Sequence, residues 1–411
     1  MKASSRWLLH GGLLVVSSIL AATILCEALL RVFGASYPVF DDYDEVRGVK
    51  LRPGMQGWYR AEGEAYLSIN SLGYRDREHD RRKPENTFRI AVLGDSYVEA
   101  RQVPLEQTFW YKLGRNLETC QFLDGKHIEM LSFGIGGYNT SQQYLTLQKD
   151  VQQFSPDLVL LAMFLGNDIE GNAPKLQNGS AWRMPAPTHT LIDGELVLDR
   201  AFSNSVWRRL LYQMVHHSRV FELVNEGRRT ARAWAWQSSD PHNVELGLSS
   251  DIYVQPESPE WHEAWRVTEV LLAKMNDLTR RMGARFVVTA IPRAIEVDPM
   301  GDRREQFEAS IGVDDLLYPD ERIARMGGDA TFRVYPLTRE LQTITETRKI
   351  YMHGFNNTQL GVGHLNEEGH GLVAELLARK LCNSSDLGGS ADGEAPRSDD
   401  RPRSIDSGPS S

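Results

Sequence analysis

Phe88-Arg89-Ile90-Ala91-Val92-Leu93-Gly94-Asp95-Ser96 is the stretch whose reading decides the fold. Its first six residues are almost continuously apolar, without the in-out alternation of a strand that has one face in water. That pattern suits a strand covered on both faces, and the Gly-Asp-Ser that follows marks an abrupt turn into a helix. Four more runs repeat it downstream: His127 to Phe133, Leu158 to Phe164, Arg285 to Ile291 and Phe332 to Leu337. Helical patterns separate them and supply the right-handed crossovers that a parallel sheet requires. The chain therefore reads as an α/β protein with a doubly wound parallel sheet.

The helices follow the same logic. Pro104 to Leu117 sets Phe109, Trp110, Leu113 and Leu117 at helical spacing, with proline near the first turn, where a missing N–H does no harm. Thr140 and Gln143 match a capping box opening the next helix. Asn366 is a good N-cap for the last helix, and Glu367 and Glu368 favour its positive dipole end. Leu372, Val373, Leu376, Leu377 and Leu381 form that helix's buried stripe.

In an open parallel sheet the strand C-termini share one edge, and residues just beyond them meet there. After strand one stands Gly94-Asp95-Ser96; after strand two, Gly134-Ile135-Gly136-Gly137-Tyr138; after strand three, Gly166-Asn167-Asp168. A hydroxyl, a glycine N–H and a carboxamide thus converge. This is the composition of an acyl-transfer site, a nucleophile with donors aimed at a developing oxyanion. The base is His364, in the loop that Asn366 fixes before the last helix. Asp95 and Asp168 read as braces of their turns rather than as a metal pair. His370 reads as a packing or capping residue; His353, ahead of the His364 loop, reads first as structural, with a place at the pocket border as the lesser alternative.

These blocks resemble the SGNH (GDSL-like) hydrolase family: a GDS serine, a block-two glycine, a GND asparagine and a late histidine. The resemblance runs from about Phe88 to Leu381. It implies a flavodoxin-like sheet order with Ser96 as nucleophile and His364 as general base. The Ser96 N–H, the Gly137 N–H and the Asn167 side chain would form the oxyanion hole. Membrane-anchored bacterial members with an Asn-Ser-x-Gly-[Tyr/Phe]-Arg lead-in are most similar, here Asn70-Ser71-Leu72-Gly73-Tyr74-Arg75. One departure stands out. The family places an aspartate three residues before the histidine, where this chain has Gly361, and no carboxylate lies in local reach. The expectation is a Ser96–His364 dyad, its imidazole oriented by a backbone carbonyl or by Asn356, Asn357 or Gln359.

Around this core, 86–382, the chain divides into an N-terminal stub and anchor (1–34), a small β-rich lead-in (35–85), an insertion within the core (171–260) and a disordered tail (383–411). Leu8 to Cys26 contains no Asp, Glu, Lys or Arg and as a helix nearly crosses a bilayer of about 30 Å hydrocarbon thickness. Lys2 and Arg6 keep the N-terminus cytoplasmic, which sends the body to the periplasm or exterior; a cleaved signal peptide is the alternative. The insertion reads as a hairpin over Thr190 to Leu198 and as helix over Ser205 to Trp236.

Composition narrows the function. Forty-six Lys and Arg against fifty-five Asp and Glu give a net charge of −9, which argues against a nucleic-acid surface. The three cysteines are too widely spaced for a zinc site, and Cys120 and Cys382 end two helices able to share a sheet face, where an oxidising compartment would let them pair. No cofactor or metal is called for. The leading reading is a membrane-anchored serine esterase removing O-acyl groups, acetyl among them, from a carbohydrate or envelope polymer. The alternatives are O-acyl transfer to a polysaccharide, or a non-catalytic polysaccharide-binding or assembly component, suggested by the missing aspartate.

Overall fold

A computed structural model describes residues 2–120, 123, 125–177, 186–199, 206–237 and 249–384. The chain opens with α1 (Lys2–Val32), in which His10–Val32 has a mean hydropathy of 2.3 and contains no buried residue. The helix is long and apolar enough to cross a membrane, and it runs six residues past the stretch expected from charge alone, taking in Glu27 and Arg31.

Two antiparallel hairpins follow: β1 (Asp41–Asp44) with β2 (Gly48–Leu51), and β3 (Gln56–Tyr59) with β4 (Ala65–Ser68). Phe40, Leu51, Leu67 and Tyr74 from this lead-in are buried in the same hydrophobic cluster as one face of the main sheet. At roughly 25 cal/mol per Å² of apolar surface removed from water, such burial holds the lead-in firmly to the core.

The core begins with β5 (Thr87–Gly94), buried along its whole length, then the single turn α2 (Ser96–Glu99) and α3 (Phe109–Leu117). The helix expected from Pro104 is broken: a 3-10 turn at Leu105–Gln107 ends at Thr108, whose hydroxyl accepts from the Tyr111 N–H and caps α3. Then come β6 (His127–Gly134), α4 (Thr140–Lys149) and β7 (Leu158–Phe164). The capping box of α4 lies one residue earlier than expected. Asn139, not Thr140, is the N-cap, and Gln142, not Gln143, completes the pair, because an amide oxygen serves the role as well as a hydroxyl.

Beyond β7 the short α5 (Leu165–Asp168) and α6 (Pro174–Gln177) lead to the hairpin β8 (Thr188–Ile192) and β9 (Glu195–Asp199). Its turn residues Asp193 and Gly194 both have positive φ, as a two-residue hairpin loop requires. The helices α7 (Val206–His217) and α8 (Arg219–Gln237) follow in the insertion, whose last described stretch, 249–260, holds a 3-10 turn at Ser250–Tyr253. The core resumes with α9 (Pro259–Arg281), β10 (Arg285–Ile291), α10 (Gly301–Ile311), α11 (Tyr318–Asp329), β11 (Arg333–Pro336), α12 (Thr338–Arg348) and α13 (Glu367–Cys382). Of the tail, only Asn383 and Ser384 lie within the described residues.

The five core strands form one parallel sheet in the order β11-β10-β7-β5-β6, the flavodoxin-like arrangement. Alternate residues of β5 serve opposite layers. Ile90 and Val92 pack with Trp110 and Leu113 of α3 and Leu376 and Leu377 of α13; Ala91 and Leu93 pack with Leu147 of α4, Trp265 of α9 and the lead-in. Because α3 and α13 share a face, their ends meet, and Cys120 and Cys382 form a disulfide with Cα atoms 5.6 Å apart.

Candidate active site

Three strand ends deliver three groups to one rim. In the register of the sheet Gly94 pairs with Gly134 and Ala162, so the segments following β5, β6 and β7 leave the sheet side by side. Ser96 is the first residue of α2, and the buried Asp95 caps it, one carboxylate oxygen accepting from the Tyr97 N–H at 3.0 Å. The other oxygen accepts from Asn167 Nδ2 at 2.8 Å, which ties the third strand end to the first. Asp168 braces its own turn, accepting from the Phe164 N–H and from Gln143 Nε2. Gly137 sits at φ +77, a left-handed conformation that a side chain would strain, and its α-carbon faces open space. The preceding Gly136 N–H donates to the buried carboxylate of Glu99 at 2.5 Å, which fixes the height of this loop over Ser96.

His364 arrives from the opposite side. Asn366 caps α13 through the Gly369 N–H and donates to the Tyr351 and Gly354 carbonyls, so the loop is locked at its helical end. The ring then stands with Nε2 2.9 Å from Ser96 Oγ. The Tyr97 ring lies alongside at 5.2 Å, and the Tyr97 hydroxyl donates to the Gly363 carbonyl.

The expectation of a dyad without a carboxylate is overturned by Glu62. It lies in the β3–β4 turn of the lead-in, 302 residues before the histidine, and reaches His364 with both oxygens: Oε2 is 2.6 Å from Nδ1, and Oε1 accepts from the His364 backbone N–H at 2.7 Å. Gly363 makes room for it, since a Cβ there would stand 2.2 Å from Glu62 Oε1. Burial works to raise the Glu62 pKa, but the neighbouring imidazole and its hydrogen bonds win and hold it below the usual carboxylate range. Asp95 goes the other way. Burial pushes it up to about 6 despite the Tyr97 and Asn167 donors and the His364 charge.

Of the amides expected to orient the imidazole, Asn357 acts at one remove. Its side chain accepts from the Gly63 N–H and donates to the Arg60 and Gly63 carbonyls, clamping the turn that carries Glu62. The role of the Asn70–Arg75 segment also becomes legible. Asn70 Oδ1 accepts from the Leu72 and Tyr74 N–H groups, and the buried Arg75 guanidinium donates to the carbonyls of Glu99, Ala100 and Val103, immediately behind the serine turn. His353 lies beneath the site, not at its border. It is buried, within 3.2 Å of the Pro292 carbonyl, and burial together with the His364 charge lowers its pKa to about 3. His370 accepts from the Phe109 N–H and stacks on the Phe109 ring, serving the first turn of α3. Among the described residues, no group of three or more His, Cys, Asp or Glu side chains is arranged to hold a metal.

Glu62 escaped sequence reading because nothing local marks it. It is one of two glutamates in Arg60-Ala61-Glu62-Gly63-Glu64, and only the missing acid beside His364 hinted that a distant turn must supply one.

No family model matches the chain, and no curated protein does. Solved structures do align with it. One is the acetyl xylan esterase AlAXEase, 13% identical, covering 72% of this chain and all of that one at a TM-score of 0.37. LAE5, an α/β hydrolase enzyme from the metagenome of Lake Arreo, is 14% identical over 72% of this chain and 97% of that one, at 0.36. Axe2, an acetylxylan esterase from Geobacillus stearothermophilus, is 10% identical over 72% and 94%, also at 0.36.

Proposed function

We propose that the protein is a membrane-anchored serine acyl hydrolase of SGNH type, working through a Ser96–His364–Glu62 triad. The observation that carries this is a single line of hydrogen bonds in which one imidazole sits 2.9 Å from Ser96 Oγ and 2.6 Å from a partly buried glutamate. A serine hydroxyl is a weak nucleophile until a base takes its proton, and a base works best when a third group fixes its tautomer.

In this mechanism His364 Nε2 removes the Ser96 proton as Oγ attacks the ester carbonyl. Glu62 holds Nδ1–H and stabilises the imidazolium, which its low pKa lets it do while fully charged. The new oxyanion is met by the Ser96 and Gly137 N–H groups and by the Asn167 amide, donors held before the reaction begins and therefore costing no reorganisation. His364 then hands its proton to the departing alcohol. Water, activated by the same imidazole, cleaves the acyl-enzyme and restores Ser96.

The substrate class is an O-acyl ester on a carbohydrate or envelope polymer. The body stands outside the cytoplasm, with α1 in the membrane. The disulfide supports that placement, because thiols in a reducing cytosol rarely pair. The missing local aspartate was the ground for a non-catalytic reading, and Glu62 removes that ground. Labelling of folded protein by a fluorophosphonate, followed by mass spectrometry, tests the proposal: modification of Ser96, lost in Ser96→Ala, is expected. An unlabelled Ser96 would contradict it. Free acid as the product of an activated ester, with an oligosaccharide present, separates hydrolysis from transfer.

A further inference from the structure

The helices α7 and α8 carry an apolar surface that the catalytic body does not use. Tyr212, on one side of α7, is buried, and His216, one turn on, approaches the Asp41 carbonyl of the lead-in at 2.8 Å. Leu210 and Met214 lie two positions away, about 200° round the helix at 100° per residue, and are 47% and 37% exposed. Across the α7–α8 junction Leu223 and Val224 are 38% and 60% exposed. A surface helix normally keeps one apolar stripe and turns it inward; a second stripe on the opposite side needs another explanation.

The junction is fastened to the end of the membrane helix. Glu27 Oε2 accepts from Ser218 Oγ at 2.8 Å and from the Val220 N–H at 3.0 Å, so an α1 carboxylate caps the first turn of α8. Arg31 Nη2 donates to the His217 carbonyl at 2.8 Å, and Arg31 Nε pairs with Glu27. Just beyond, Ser36 Oγ and the Tyr37 N–H donate to Glu222. The 19 uncharged residues from Leu8 to Cys26 span about 28 Å as a helix, close to a hydrocarbon layer of about 30 Å, so Glu27 and Arg31, just beyond them, fall at the outer headgroup level. Whatever is bonded to them is at that level too. Val32 and Phe33, both 79% exposed, continue the apolar surface there. The sequence of α8 also carries Arg219, Arg228, Arg229 and Arg232 against two glutamates, with Trp234 and Trp236 near its end. Arginine with tryptophan is the composition of helices that rest at a lipid surface.

Building on the anchor reading, we infer that α7 and α8 lie on the outer leaflet of the bilayer that α1 crosses, with Leu210, Met214, Leu223 and Val224 seated among anionic headgroups. The same helices grip the lead-in, through His216 to Asp41 and Arg209 to Glu45. The lead-in carries Glu62. The helices thus set the triad at a fixed height above the lipid, and the enzyme works on esters presented at the membrane face.

The test uses the full chain with Cys26→Ser, reconstituted in vesicles containing phosphatidylglycerol, with an environment-sensitive fluorophore on Val224→Cys. Leu210→Cys is the second site should the first variant misfold, and Leu20→Cys marks the middle of α1. Nitroxide-labelled acyl chains are expected to quench both the residue-20 and the residue-224 probes, by roughly twofold or more, while aqueous iodide reaches neither. Quenching at residue 20 alone overturns the inference and leaves the anchor standing. Absence of quenching at both overturns the anchor and this inference together. A residue-224 probe shielded from iodide but untouched by the nitroxides reports contact with a second copy of the chain, which also overturns it.

Discussion

The rim of the parallel sheet and the β3–β4 turn contribute to the same site by different means. At the rim, Ser96, Gly137 and Asn167 follow directly from three hydrogen-bonded strands, and Asp95 crosslinks the first to the third. Their geometry is that of the core and can be lost only with it. Glu62 is brought by a four-residue-per-strand hairpin whose turn is held by Asn357 and by the histidine it serves. The proposed nucleophile and oxyanion donors are therefore products of the fold, whereas the proposed acid is a product of docking, and losing the docked turn should damage proton transfer while leaving the fold and the serine in place.

The largest effect belongs to the rim. Ser96→Ala should reduce ester hydrolysis by three or more orders of magnitude with an unchanged melting temperature, measured by steady-state kinetics and calorimetry, because removing the nucleophile leaves only binding and oxyanion contributions. Loosening the turn should do less. Asn357→Ala removes three hydrogen bonds from the Glu62 segment and should lower kcat about tenfold with KM nearly unchanged, since it disturbs positioning rather than substrate binding. An equal fall in the rates of Glu62→Gln and of the Asn357→Ala, Glu62→Gln double variant, relative to wild type, would show that Asn357 acts through Glu62.

The smallest effect is on pH dependence, and it separates the two carboxylates. Asp95 has a folded pKa of about 6, above its unfolded value, so its ionisation weakens the fold progressively as pH rises from about 4 to 6. Asp95→Asn should flatten that part of the stability curve, measured by denaturant unfolding at each pH. Glu62 is shifted downward, so its contribution is present above the ordinary glutamate range and is lost only as pH falls through its lowered value. The curve should therefore show Asp95 and Glu62 with opposite slopes.

What could be read from the chain alone follows the same division. The five strands, the serine, the asparagine and the capped histidine were legible because apolar runs fix strands and strand ends fix neighbours. The exact bounds suffered where chemistry is interchangeable: Asn139 serves as well as Thr140 at a helix start, and Thr108 stops the helix that Pro104 seemed to open. Glu62 was not legible, because its partner is 302 residues away and the docking of the lead-in, through Phe40, Leu51, Leu67 and Tyr74, depends on packing that no local pattern encodes. The Asn70–Arg75 segment is visible as a motif, but its purpose, holding the carbonyls behind Ser96, depends on contacts made across the fold that no local pattern encodes.

The role of Glu62 is tested most directly by the pseudo-first-order rate at which a fluorophosphonate modifies Ser96 in Glu62→Gln compared with wild type, under conditions where both are folded. The substitution keeps the size and an acceptor oxygen but removes the charge that stabilises the imidazolium. A fall of about 10²–10⁴-fold with both proteins still folded is the predicted result, in line with the loss seen when the acid of a serine-protease triad is neutralised. Equal labelling rates for the two proteins would contradict it, and would return the site to a serine and histidine acting alone.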